Sequence, residues 1–156
     1  MDLRSVPASE VMHKEVISLS SSMNLEEVRD IFLTNNISGA PVVDEDGVLV
    51  GVVSQTDLIQ VGLAGDFDDF DDNELLIGFS AWGVGGDSET IGDRLRGKFV
   101  AEVMGGNIFT AMPDDSASYL AGEMRKHKIH RLVITDARKH VVGIVTPFDL
   151  LKLLEG

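Results

Sequence analysis

The chain has 156 residues, with 26 Asp and Glu against 13 Lys and Arg and a formal charge of −13. Such an excess of acid disfavours non-specific attraction to nucleic acid or to an anionic membrane. The 44% of apolar residues suffices for a core, but no apolar run approaches the ~18 residues of a membrane span, and the absence of cysteine removes disulfides, thiolate metal sites and a cysteine nucleophile.

The opening MDLRSVPASE carries no apolar stretch of a secretory signal, so a cytoplasmic protein is expected. A short strand is expected over Val16 to Leu19. A helix follows, with Asn24 as N-cap, Glu27 as capping-box partner three residues on, and Leu25, Val28 and Phe32 as the stripe facing the core. Pro41 to Asp44 and Val48 to Ser54 read as a hairpin about the turn Asp44-Glu45-Asp46-Gly47, and a closing helix begins at Gln55.

The same order returns after residue 100. A strand is expected over Ile108 to Ala111. Ser116 then caps a helix whose inner stripe is Ala117, Leu120 and Met124. Leu132 to Thr135 and His140 to Thr146 form a second hairpin, and Pro147 opens a last helix at the position where a missing N–H costs nothing. Sliding the chain on itself by 92 residues aligns the two segments without a gap. Glu10-Val11-Met12 fall on Glu102-Val103-Met104, Ile37 and Asp44 on Ile129 and Asp136, Val50, Gly51 and Val53 on Val142, Gly143 and Val145, and Asp57-Leu58 on Asp149-Leu150. These ten identities compare with about three expected from ordinary residue frequencies. Halves of ~60 residues bury little core alone, so an α+β fold of two interdependent β-α-β-β-α repeats is expected, with domains at 1–60 and 100–156 and an insert at 61–99.

The motif G-h-h-[ST]-x-x-D occurs as Gly51 to Asp57 and again as Gly143 to Asp149. A carboxylate one turn into a helix, beside a capping Ser or Thr, can accept two vicinal hydroxyls while free N–H groups face an anion. The same residues also cap the helix and favour its dipole, and the two roles are compatible. With its flanking hairpins, ISGAPVVDEDGVLVGVVSQTDL and IHRLVITDARKHVVGIVTPFDL, each half resembles a cystathionine-beta-synthase (CBS) domain, and together they resemble a pseudo-twofold CBS pair, or Bateman module.

That resemblance implies a regulatory sensor rather than an enzyme, with no catalytic residue and no required cofactor. It implies an adenosine-containing ligand, AMP, ADP, ATP or S-adenosylmethionine, held in clefts between the repeats, and a homodimer that passes the signal to a regulated protein. Position by position, it implies that Asp57 and Asp149 receive ribose hydroxyls and that Ser54 and Thr146 contact ribose or phosphate. Ile17 and Phe109 would lie against adenine, and the loops Ser38-Gly39 and His130-Arg131 would approach the ligand.

Charge distinguishes the halves. Residues 125–140 hold six of the thirteen Lys and Arg, three of the four His and one acid, a local charge of +5, whereas residues 33–48 hold no base. Arg131 is the best phosphate partner because its planar guanidinium bonds bidentately. An asymmetric module is therefore expected, with phosphate charge handled by the second half and Asp149 and Arg131 weighing more than Asp57, while the sequence leaves open which cleft receives Arg131. His127 and His130 lack a third ligand at metal spacing, so no metal site is assigned.

The stretch 60–99 carries 9 acids against 3 bases. Asp66 to Glu74 fails as a calcium loop because Phe70 and Asp71 stand where an oxygen ligand and a glycine are needed. Gly92 to Lys98 is followed by Phe99 instead of the Ser or Thr of a phosphate loop, and neither Gly78 to Trp82 nor Gly83 to Gly86 completes its motif. The alternative function is a ligand-independent dimeric scaffold that docks a protein through this insert.

Overall fold

The computed structural model describes residues 2–62, 95, 97–105 and 108–155. The acidic stretch Asp66 to Glu74, the glycine motifs of residues 78–86 and most of the Gly92 to Lys98 motif lie outside the described residues. The described elements are a 3-10 turn at Leu3–Ser5, α1 (Ala8–Val11), β1 (Leu19–Ser20), α2 (Leu25–Asn35), β2 (Gly39–Val43), β3 (Leu49–Ser54) and α3 (Gln55–Gly62). The second series is α4 (Val100–Val103), β4 (Thr110–Ala111), α5 (Ala117–His127), β5 (Leu132–Thr135), β6 (Val141–Val145) and α6 (Pro147–Glu155). Two three-stranded sheets result, ordered β1-β2-β3 and β4-β5-β6. The fold is α+β.

The helices begin and end where local chemistry directs. Asn24 Oδ1 accepts from Glu27 N at 2.8 Å and Ser116 Oγ from Tyr119 N at 3.1 Å, each satisfying one orphan donor of a first turn. Among the described residues the reciprocal bond from the Glu27 side chain is not made, so the expected capping box is half formed. Both helices stop at a left-handed residue, Asn36 (φ 53°) and Lys128 (φ 55°), whose N–H returns to Phe32 O and Met124 O. The buried residues of α2 are Leu25, Val28 and Phe32, and those of α5 are Ala117, Leu120 and Met124, as the spacing predicts.

The leading strands are shorter than expected. β4 runs parallel to β5 through two residue pairs alone, Thr110 with Val133 and Ala111 with Ile134, so Ile108 and Phe109 precede the ladder. The hairpin β5-β6 is antiparallel and shifts register between Ile134 and Thr135. Its turn is closed by Asp136 Oδ1, which accepts from Arg138 N and His140 N at 2.9 Å each. Asp44 Oδ1 does the same for Asp46 N and Val48 N, also at 2.9 Å. The next turn residue is left-handed in both hairpins, Gly47 (φ 83°) and Lys139 (φ 66°), and only the first is a residue free of Cβ strain there.

The chain folds as two compact units. One comprises Met1–Ile17, Val43–Leu49 and Asn107–Gly156, and the other Ser18–Val42 and Val50–Gly106. Each thus joins the helix α1 or α4 that precedes one repeat to the sheet and helices of the other. In the first unit Ala8 is buried with Ala111, Leu120, Met124, Leu132, Ile134 and Val145. In the second, Val100 occupies the corresponding place among Leu25, Val28, Phe32, Val42, Val53 and Leu58. Backbone bonds repeat the exchange. His13 N and Ile144 N each donate to the other residue's carbonyl, at 2.9 and 3.0 Å, and Gly105 N donates to Val52 O at 3.0 Å.

This exchange accounts for the Met and Gly identities. A Cβ at Gly51 would lie 2.7 Å from Sδ, 2.9 Å from Cγ and 3.0 Å from Cβ of Met104. One at Gly143 would meet Met12 Sδ and lie 2.8 Å from its Cγ and 3.0 Å from its Cβ. The methionine stem, not merely its flexible end, rests on bare backbone, so only glycine admits the approach.

Candidate ligand site

β3 ends at Ser54 and α3 begins at Gln55, which brings the Asp57 side chain back over the strand end. Ser54 donates from N (2.7 Å) and from Oγ (3.1 Å) to Asp57 Oδ2. Asp57 N returns a bond to Ser54 Oγ at 3.3 Å. This holds one carboxylate oxygen and aims the other. Among the described residues Asp57 Oδ1 accepts no hydrogen bond, and Asp57 borders an open cavity of about 240 Å³ with Gln60, Val61 and Val103. Gln55 N donates to Ser38 O at 2.8 Å, tying the Ser38-Gly39 loop to the start of the same helix. Four of the sequence candidates, Ser38, Gly39, Ser54 and Asp57, are thereby linked in one unit.

The second unit repeats the device. Thr146 N (2.7 Å) and Thr146 Oγ1 (3.0 Å) donate to Asp149 Oδ2. The other oxygen differs. Asp149 Oδ1 lies 2.7 Å from His13 Nε2 and 3.5 Å from Lys152 Nζ, and the Asp149 side chain is 1% exposed. A carboxylate only accepts, so His13 Nε2 carries the proton of this bond. Pro147 stands where Gln55 stands in the first repeat and has no N–H for the loop at His130.

The remaining candidates take separate positions. Ile17 is exposed and belongs to the unit that contains Asp149, so it is not in the Asp57 unit. The Phe109 ring stacks on His127, with centroids 3.9 Å apart and planes at 22°. His130 is exposed, whereas Arg131 is half-buried, and burial lowers the pKa of its guanidinium from the ordinary value. His13 was missed by sequence reasoning. Its one signal is a mismatch: it follows the shared Glu-Val-Met, and its 92-residue counterpart is Gly105.

The family model described as CBS domain matches residues 8–64 and 100–156. The chain belongs to the CBS domain family. An uncharacterised protein of Methanocaldococcus jannaschii, MJ1426, is 30% identical over 93% of this CBS chain and 89% of its own. The chain spans 42% of another M. jannaschii relative at 30% identity, and 22% of the human 5'-AMP-activated protein kinase subunit gamma-3 at 26%. Similar solved structures include the CBS domain of a CBS-domain-containing membrane protein from Sphaerobacter thermophilus, with 29% identity, a TM-score of 0.74 and coverage of 97% of this chain and 89% of that one. The CBS domain pair of protein MJ0100 was solved with 5'-methylthioadenosine and S-adenosyl-L-methionine, and is 27% identical with a TM-score of 0.69 over 96% of both chains. Among the described residues, no helix of this CBS protein is long and apolar enough to cross a membrane.

Proposed function

We propose that this CBS pair is a regulatory, non-catalytic module that binds an adenosine-containing ligand and converts occupancy into a change of conformation or partner affinity. The observation that carries the reading is the Ser54-Asp57 arrangement. One carboxylate oxygen is fixed by two donors from Ser54, and Asp57 borders a cavity of about 240 Å³ at the start of α3. A preorganised acceptor of that kind suits a ribose diol, and the first-turn N–H groups beside it suit a phosphate or carboxylate. The likeness to a CBS pair solved with two adenosine derivatives supports the same class of ligand. Within that class the candidates are AMP, ADP, ATP and S-adenosylmethionine. Arg131, half-buried and cationic, is the phosphate candidate of the unit that contains Asp149.

The module is proposed to act as a cytoplasmic homodimer toward a regulated protein. Its last helix leaves Phe148 and Leu154 each 74% exposed and Leu151 53% exposed, an apolar stripe suited to a second copy. Ligand binding shifts an equilibrium only by the difference in affinity for the two states, so the output is set by how differently they hold the nucleoside. Thermal-shift measurements against the four ligands, with and without magnesium, test the reading. At a ligand concentration 100 times Kd the native state gains about 2.7 kcal/mol, a readily measured rise in Tm. A melting curve indifferent to all four at millimolar concentration would refute it.

A further inference from the structure

The two site carboxylates have the same sequence context and the same inner hydrogen bonds, yet among the described residues only that of Asp149 has its outer oxygen covered. We infer that His13 closes the Asp149 position against ligand, so that Asp57 alone receives the hydroxyls and the chain takes one nucleoside rather than two. This rests on the proposed adenosine-binding function and specifies where it happens.

The difference lies in side chains, not in backbone. His13 and Gly105 occupy matching places after Met12 and Met104, and each donates its N–H across to a strand of the unit it joins, to Ile144 O at 2.9 Å and Val52 O at 3.0 Å. From that shared position the imidazole reaches Asp149 Oδ1 at 2.7 Å, whereas glycine reaches nothing. The second difference points the same way. Lys152, 3.5 Å from Asp149 Oδ1, corresponds to Gln60, which borders the cavity at Asp57. Asp149 is buried, while Asp57 is half-buried.

A diol approaching Asp149 must displace a charge-assisted hydrogen bond, so its affinity there falls by roughly tenfold or more relative to an uncovered carboxylate. The inference runs against the expectation, drawn from the basic residues at 125–140, that Asp149 outweighs Asp57: local positive charge does not help a carboxylate already engaged.

Titration calorimetry with AMP and with S-adenosylmethionine on four proteins tests the inference. The wild-type chain is expected to bind one ligand, and His13→Gly to bind two by uncovering Asp149. Gly105→His is expected to abolish the wild-type site; a Cβ at 105 meets only Val52 O, at 3.9 Å, so the backbone accepts the change. The exchanged double variant H13G/G105H is expected to bind one ligand again, now lost on Asp149→Ala. Two ligands on the wild-type chain, or one on His13→Gly, would overturn the inference while leaving the adenosine function standing. No binding to any of the four proteins would remove both. The imidazole gives a ligand-free reading: long-range nitrogen-proton correlation should show His13 protonated at Nε2, and a spectrum unchanged by Asp149→Ala would overturn the inference alone.

Discussion

Asp149 is a structural acceptor as much as a site residue. Its Oδ2 takes the N–H and hydroxyl of Thr146 at the start of α6, and its Oδ1 takes His13, while the Asp149 side chain itself is 1% exposed. Asp149→Ala therefore leaves Thr146 N and the His13 Nε2 proton without their acceptor, and is expected to lower unfolding free energy by about 1–3 kcal/mol. Nucleoside affinity should change little. Urea unfolding beside a binding isotherm separates the two effects, and a large loss of affinity at unchanged stability would contradict this assignment. The pairing of Asp57 with Ser54 and of Asp149 with Thr146 was legible in the sequence, because capping geometry is local and the spacing fixes it. The difference between the two aspartates was not, since it depends on residue 13, which is 136 positions from Asp149 and occupies a column where the repeats disagree.

At the scale of elements, the helix caps and inner stripes follow from local rules, and the structure keeps them. The strand starts do not follow, because β4 exists only where Thr110 and Ala111 find partners on β5. Apolar residues before it satisfy the pattern without a ladder. The exchange of α1 and α4 is equally hidden. The identities Met12 with Met104 and Gly51 with Gly143 read the same whether each methionine covers the glycine of its own repeat or of the other one. Gly143→Ala is expected to destabilise by about 1–3 kcal/mol, since the added methyl would meet the Met12 stem. Removing the stem in Gly143→Ala/Met12→Ala should recover part of that loss. A double-mutant cycle by denaturant unfolding measures the coupling, and strictly additive effects would argue against the contact.

Over the whole molecule, the formal charge of −13 divides into −6 over residues 60–99, +5 over residues 125–140 and −12 over the remainder. Bulk polyanion binding remains disfavoured. The tandem architecture was legible because a 92-residue offset needs no gap. The proposed difference between the two sites was not, because sequence symmetry argues for two alike where, among the described residues, one carboxylate is covered and the other is not. The exposed stripe Phe148, Leu151 and Leu154 is the surface proposed for a second copy. Phe148→Glu/Leu154→Glu is expected to shift light-scattering mass from dimer to monomer, and a wild-type chain already monomeric would contradict the proposal.

The central claim is that the Asp57 carboxylate receives an adenosine ligand. Isothermal titration of the wild-type chain and of Asp57→Ala with AMP, ADP, ATP and S-adenosylmethionine tests it most directly. At least one ligand is expected to bind the wild-type chain below millimolar Kd and to lose roughly tenfold or more in affinity in Asp57→Ala, about 1.4 kcal/mol per tenfold. Binding of equal strength to both proteins, or none below millimolar to the wild-type chain, would contradict the account.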